Sequence, residues 1–152
     1  MKVGEHVNPN EAPYGWLIKR IAKQMEQNIN QFLKPYNITS MQSWILLHLD
    51  AVNEARTFKE LEKQFEVSQP TMVGILARLE QKDFVVITND SRDKRIKKVS
   101  ISKTGIELIS GLRQHLDNSE NKIVAGFSND EMNEFHHQLE KAYYNIIERD
   151  GE

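Results

Sequence analysis

Apolar residues recur every three or four positions along almost the whole chain, and that rhythm breaks once, between Phe84 and Ile101. A spacing of three to four is the period of a helix with one buried face. The exception reads differently. Phe84-Val85-Val86-Ile87-Thr88 is β-branched and aromatic, Asn89-Asp90-Ser91-Arg92-Asp93 is turn chemistry, and Ile96 to Ile101 alternates apolar with polar. A single hairpin inside a helical chain is therefore the feature every other segment has to accommodate.

The helices around it announce their own ends. Leu17, Ile21, Met25, Ile29 and Phe32/Leu33 form one stripe, with Pro13 at its start and Pro35 as its stop. Thr39-Ser40-Met41-Gln42 has the form of a capping box and opens a short apolar helix through Trp44, Ile45, Leu47, His48 and Val52. Thr57-Phe58-Lys59-Glu60 is a second box, starting about two turns with Phe58, Leu61 and Phe65 on one face. After a turn at Glu66-Val67, Ser68 is a good N-cap with Pro70 in the first turn behind it. That helix runs through Met72, Val73, Ile75, Leu76 and Leu79 to about Lys82. Beyond the hairpin, Ser102 precedes a long helix carrying Ile106, Ile109, Leu112, Leu116, Ile123 and Val124, which Gly126 ends. Ser128-Asn129-Asp130-Glu131 is a third box, and Met132, Phe135, Leu139, Ala142/Tyr143 and Ile146 form the last stripe.

Composition narrows the chemistry. The 152 residues suit one domain with an extension, and 39% hydrophobic with 28% charged residues is a globular balance. There are no cysteines, which excludes disulfides, thiolate catalysis and cysteine-ligated metals. No apolar run is long enough for a membrane span, and the polar start MKVGEHVNPNEAP has no signal-like core, so the expectation is a cytoplasmic protein. Net charge is −2, which alone speaks against a nucleic-acid partner. Its distribution speaks for one. Residues 56–103 hold 11 Lys/Arg against 7 Asp/Glu, and residues 92–103 hold six basic residues (Arg92, Lys94, Arg95, Lys97, Lys98, Lys103) against the single acid Asp93.

Two helices joined by a tight turn, the second capped and followed by a hairpin, make a winged helix-turn-helix. The predicted fold class is mostly α with a small β-hairpin wing, a winged helix-turn-helix plus a helical dimerisation region. Residues 39–101 are expected to be the DNA-binding domain, 13–38 and 102–152 the dimerisation region, and 1–12 a flexible arm. A helix fits the major groove, where each base pair shows a distinct donor and acceptor pattern. The expected contacts on the second helix are Ser68, Gln69, Thr71 and Met72, with Gly74 and Arg78 further along. Gln can read adenine, Arg guanine or phosphate, and Met or the Thr methyl can touch thymine. Val73, Leu76 and Leu79 are expected to face the core.

These stretches together resemble the MarR family of transcriptional regulators. The resemblance runs over roughly residues 13–149. Its carriers are FKELEKQFEVSQPTMVGILARLEQKDFV, the wing tip Asp90-Ser91-Arg92-Asp93-Lys94-Arg95 and the exit Val99-Ser100-Ile101-Ser102-Lys103-Thr104-Gly105. The family often has Thr where this chain has Ser102, a departure that touches only the start of the long helix. The resemblance implies a homodimer on a pseudo-palindromic double-stranded DNA operator, acting as a repressor released by a small molecule. It implies that Arg92 enters the minor groove with Asp90 orienting it. Arg95 either joins it or ties the wing to the domain body. Lys94 and Lys97 complete the expected set, and Lys97, Lys98 and Lys103 meet either phosphate or solvent.

The family's effector cleft lies near the first two helices, where Tyr14, Trp16, Tyr36 and Trp44 gather. Trp16, Arg20, Trp44 and His48 are the candidate ligand contacts, and Arg20 suits an anionic aromatic effector. Core and dimer packing is the competing reading of those aromatics. Zinc-responsive branches of the family cluster histidines, which this chain does not. His136 and His137 are adjacent on a helix and diverge by about 100°, His6 lies in the arm, and only His48 and His115 have the placement to approach one another. No metal and no cofactor is expected. P-loop, dinucleotide-glycine, H-E-x-x-H and nucleophile-elbow motifs are absent from the sequence, so no enzyme is expected. The alternative function is a winged-helix protein-interaction module without DNA binding, which has no need of a D-x-R-D-x-R tip.

Overall fold

The first helix, α1 (Tyr14–Leu33), starts directly after Pro13. The computed structural model describes residues 8–147, so residues 1–7 of the expected arm, with His6, and the last five residues of the chain lie outside it. Within the arm, Pro9–Glu11 form one short 3-10 turn capped by Asn8. A second such turn, Lys34–Tyr36, carries Pro35 and closes α1, with Asn37 left-handed at φ 52°. The chain divides into two compact units with the boundary between Leu116 and Asp117.

The three capping boxes all form. Thr39 Oγ1 accepts the Gln42 N–H, and Gln42 Oε1 accepts the Thr39 N–H, opening α2 (Ser40–Val52). Thr57 and Glu60 do the same for α3 (Phe58–Phe65). Ser128 and Glu131 open α6 (Asn129–Ile147). Each box satisfies two of the donors a helix start leaves unpaired. Ser68 caps α4 (Gln69–Gln81) by accepting the Thr71 N–H. The α3–α4 turn is made by Glu66, left-handed at φ 52°, with the Glu66 and Val67 N–H groups both returning to the Glu62 carbonyl.

The sheet has three strands, one more than the sequence pattern shows. β2 (Val85–Asn89) and β3 (Lys97–Ile101) pair antiparallel with Ile87 opposite Val99. β1 (Arg56–Thr57) adds itself to the far side of β3, giving the order β1-β3-β2. Two residues are too short to show an alternation, and Thr57 serves as strand end and helix cap at once.

The core lies in the unit up to Leu116. Leu33, Ile45, Leu46, Leu49, Leu61, Met72, Leu76, Leu79, Val99, Ile109 and Leu112 are fully buried there. They come from α1, α2, α3, α4, β3 and α5 (Lys103–Ile123). The start of α5 is pinned: Ser102 Oγ accepts the Gly105 N–H, its hydroxyl donates to the Asp83 carbonyl, and its N–H donates to the Phe84 carbonyl. In the second unit, α6 buries none of its residues within the single chain, and Leu139, Tyr143, Tyr144, Ile146 and Ile147 are exposed. On α1, Tyr14, Ile18 and Ile21 are exposed as well.

Candidate nucleic-acid interface

Helix α4 presents two faces set by its phase. Met72, Leu76 and Leu79 point inward at the i, i+4, i+7 spacing of one stripe and are all 0% exposed. Met72 is thus a core residue and not an outward contact, and the expectation for it is corrected. Val73, expected inward, is 44% exposed, because one residue along a helix turns the side chain by about 100°. Ser68, Gln69, Thr71, Val73, Gly74, Ala77 and Arg78 make the outward face. Ser68 and Thr71 hydroxyls are 2.8 Å apart and hold each other at the first turn.

Gln69 joins a cleft of about 370 Å³ with Lys59 and Glu62 of α3, Thr57 and Phe58, and Ile96 and Lys97 at the base of the wing. The N-termini of α3 and α4 and the wing therefore share one open surface. Lys59 was not among the residues singled out from the sequence. Its position inside a capping box, where the second helical residue stays exposed, was the available signal.

The wing tip is organised by two aspartates. Asp90 Oδ1 accepts the backbone N–H groups of Arg92 at 2.7 Å and Asp93 at 3.3 Å, and Oδ2 pairs with Lys98 Nζ at 2.7 Å. Asp90 therefore shapes the loop and holds Lys98. It positions Arg92 through that backbone N–H and not through the guanidinium, which corrects the route expected for its orienting role, and Lys98 is engaged within the wing. Asp93 takes the Arg95 guanidinium in a two-pronged pair, Nε and Nη2 each at 3.0 Å. The Arg95 side chain is 91% exposed, so it ties the loop to itself and not to the domain body. Among the described residues, Arg92, Lys94 and Lys97 form no ion pair, which leaves three cations outward on the tip and its exit.

Lys98 and the Arg92 and Asp93 amides hold the Asp90 carboxyl down at about 2. Its value is depressed on folding, so its contribution is full above the ordinary carboxylate range and is lost progressively as pH falls from that range through about 2. The Arg92 and Asp93 amide resonances should accordingly stay flat from neutral pH down to about 4 and move with a midpoint near 2. A midpoint at an ordinary aspartate value would show that the three donors do not hold this carboxylate. The Arg95 guanidinium likewise lowers Asp93.

The ligand candidates fall on α1 and α2. The Arg20 guanidinium lies 5.6 Å over the Trp16 ring, and Trp44 is 40% exposed. His48 packs edge-on against Phe65 at 5.6 Å and lines a cleft of about 450 Å³ with Arg56, Glu60, Lys63 and Gln64. His115 instead stacks on Phe32 at 5.0 Å. Among the described residues, no three His, Asp or Glu side chains gather as a metal-binding group. No helix there is long and apolar enough to cross a membrane.

A capped outward helix beside a three-stranded wing defines a winged helix-turn-helix protein. A model of the MarR family matches residues 36–96. Staphylococcus aureus MepR, a transcription regulator of the multidrug efflux pump MepA, is 25% identical with a TM-score of 0.78, covering 89% of this chain and 99% of that one. The S. aureus MepR–DNA complex matches at 26% identity and TM-score 0.71, over 90% of this chain and 100% of that one. MarR from E. coli shares the fold at 23% identity and TM-score 0.70, over 86% and 96%. Over residues 36–96, and through its likeness to MepR, the chain is similar to the MarR-family winged-helix transcription regulators.

Proposed function

We propose that this regulator works as a homodimeric repressor, binds a pseudo-palindromic DNA site, and is released by a small aromatic or anionic effector. The observation that carries the DNA half is the shared surface at Gln69, Lys59 and Lys97, continuous with a tip whose Arg92 and Lys94 form no ion pair among the described residues. Gln69, Thr71 and Arg78 reach base edges or nearby phosphates, with Ser68 and Gly74 at the close approach. Arg92 enters the minor groove, where a narrow A·T tract attracts a guanidinium. Lys94, Lys97 and Lys59 neutralise phosphate. Arg95, already paired with Asp93, keeps Asp90's loop in shape beside them.

The dimer half rests on the exposed apolar residues of α1 and α6, which a second copy would cover. Two-fold symmetry in the protein then sets two-fold symmetry in the site. For the effector, Arg20 over Trp16 supplies an aromatic face and a carboxylate partner, with Trp44 and His48 on the neighbouring helix. Trp16 and Trp44 are the only tryptophans, so their emission reports any ligand there.

Selection of bound duplexes from a random pool tests the reading. It should return an inverted repeat with half-sites about one helical turn apart. Sedimentation should show a dimer at micromolar concentration. A folded monomer, or a site without symmetry, would overturn the dimeric reading.

A further inference from the structure

The geometry points to Val73 as the residue that reads a thymine methyl group in the major groove. This deepens the DNA-binding reading and rests on it. A lone exposed valine on a surface means little; its placement carries the argument. Gln69, Val73 and Ala77 stand four residues apart in one row on the outward face of α4. Gln69, at the head of that row, lines the cleft shared with Lys59 and Lys97. Val73 sits one turn behind it, in the middle of the helix, with 44% of its surface open.

Neither Val73 nor its neighbour is explained by the fold. Met72, Leu76 and Leu79 fasten the helix to the core without Val73. A β-branched residue is a poor helix former, and glycine is poorer. Gly74 has nothing within 4 Å of where a side chain would begin, so no internal contact demands it. An apolar side chain beside a bare stretch of backbone suits a groove wall brought close. The thymine C5-methyl is the one apolar group the major groove offers.

The test uses the full-length protein and the duplex that selection returns. Each thymine is replaced in turn by deoxyuridine, which removes the methyl and keeps every hydrogen-bonding group. Affinity is measured by fluorescence anisotropy for the wild type and for Val73→Ala. At one or two thymines per half-site, the wild type should lose about fourfold on deoxyuridine, the worth of one buried methyl. Val73→Ala should bind the thymine duplex correspondingly weakly and lose nothing more on deoxyuridine. Alanine is the better helix former, so its melting temperature should not fall. Equal methyl sensitivity in both proteins, or none in the wild type, would overturn the role of Val73 and leave the DNA-binding reading standing. A wild type that enriches no duplex at all would overturn both.

Discussion

Gly105→Ala should lower the melting temperature by roughly 10 °C, the equivalent of about 3 kcal/mol for a chain of this size. A Cβ built on Gly105 would come within 2.3 Å of the Phe84 carbonyl oxygen and 2.7 Å of Ile101 Cγ1. The first neighbour is backbone and cannot swing away. That carbonyl also accepts the Ser102 N–H, so moving it breaks the bond that fixes the start of α5. Gly74→Ala is the matched control, since its new methyl meets open space. It should hold or raise the melting temperature, by up to about 1 kcal/mol from helix propensity. Thermal unfolding followed by circular dichroism compares the two directly. If Gly105→Ala melts with the wild type, the first turn of α5 shifts at little expense and the close packing described here does not govern stability.

Arg92→Ala should weaken binding to the selected site more than Lys97→Ala does, although each removes one positive charge. Both residues are unpaired in the wing, so both are available to phosphate. Each substitution should reduce the slope of log affinity against log salt by about 1. Only Arg92→Ala should carry a further loss, about 1–3 kcal/mol, from an emptied minor groove. Exchanging the A·T pairs under the wing for G·C should weaken the wild type and leave Arg92→Ala unchanged. Lys98→Ala is the wrong comparison for this purpose. Lys98 holds Asp90, so its removal loosens the whole tip as well as deleting a charge. Equal losses for Arg92→Ala and Lys97→Ala at every salt concentration would make Arg92 one cation among several.

Much of the fold was legible because its signals are local. Capping boxes at Thr39, Thr57 and Ser128 need only a residue and its neighbour three positions on, and all three form. Helix phase was less legible. Met72 and Val73 are adjacent and both apolar, so the outward one is decided by whichever completes a stripe with Leu76 and Leu79. The i, i+4, i+7 run favours Met72 for the interior, and thioether flexibility helps it fill that space. The partner choices at the tip were illegible for a related reason. Asp90 faces a loop with several donors, and only three-dimensional register brings Lys98 across the hairpin opposite Thr88 and within reach. The strand at Arg56-Thr57 exists because β3 offers it an edge, which no property of those two residues announces.

The separation of the two faces of α4 has a consequence for how such a protein diversifies. Its attachment to the body is carried by Met72, Leu76 and Leu79, none of which reaches the outer surface. Gln69, Val73, Ala77 and Arg78 can then be exchanged for other residues with stability changes within about 0.5 kcal/mol each. If those outward residues read the target as proposed, duplicated copies of the gene can drift to new target sequences one residue at a time, each intermediate still folded. On the proposed DNA-binding reading, the helix is a practical cassette for re-targeting in the laboratory, with the inward three residues left untouched as the frame.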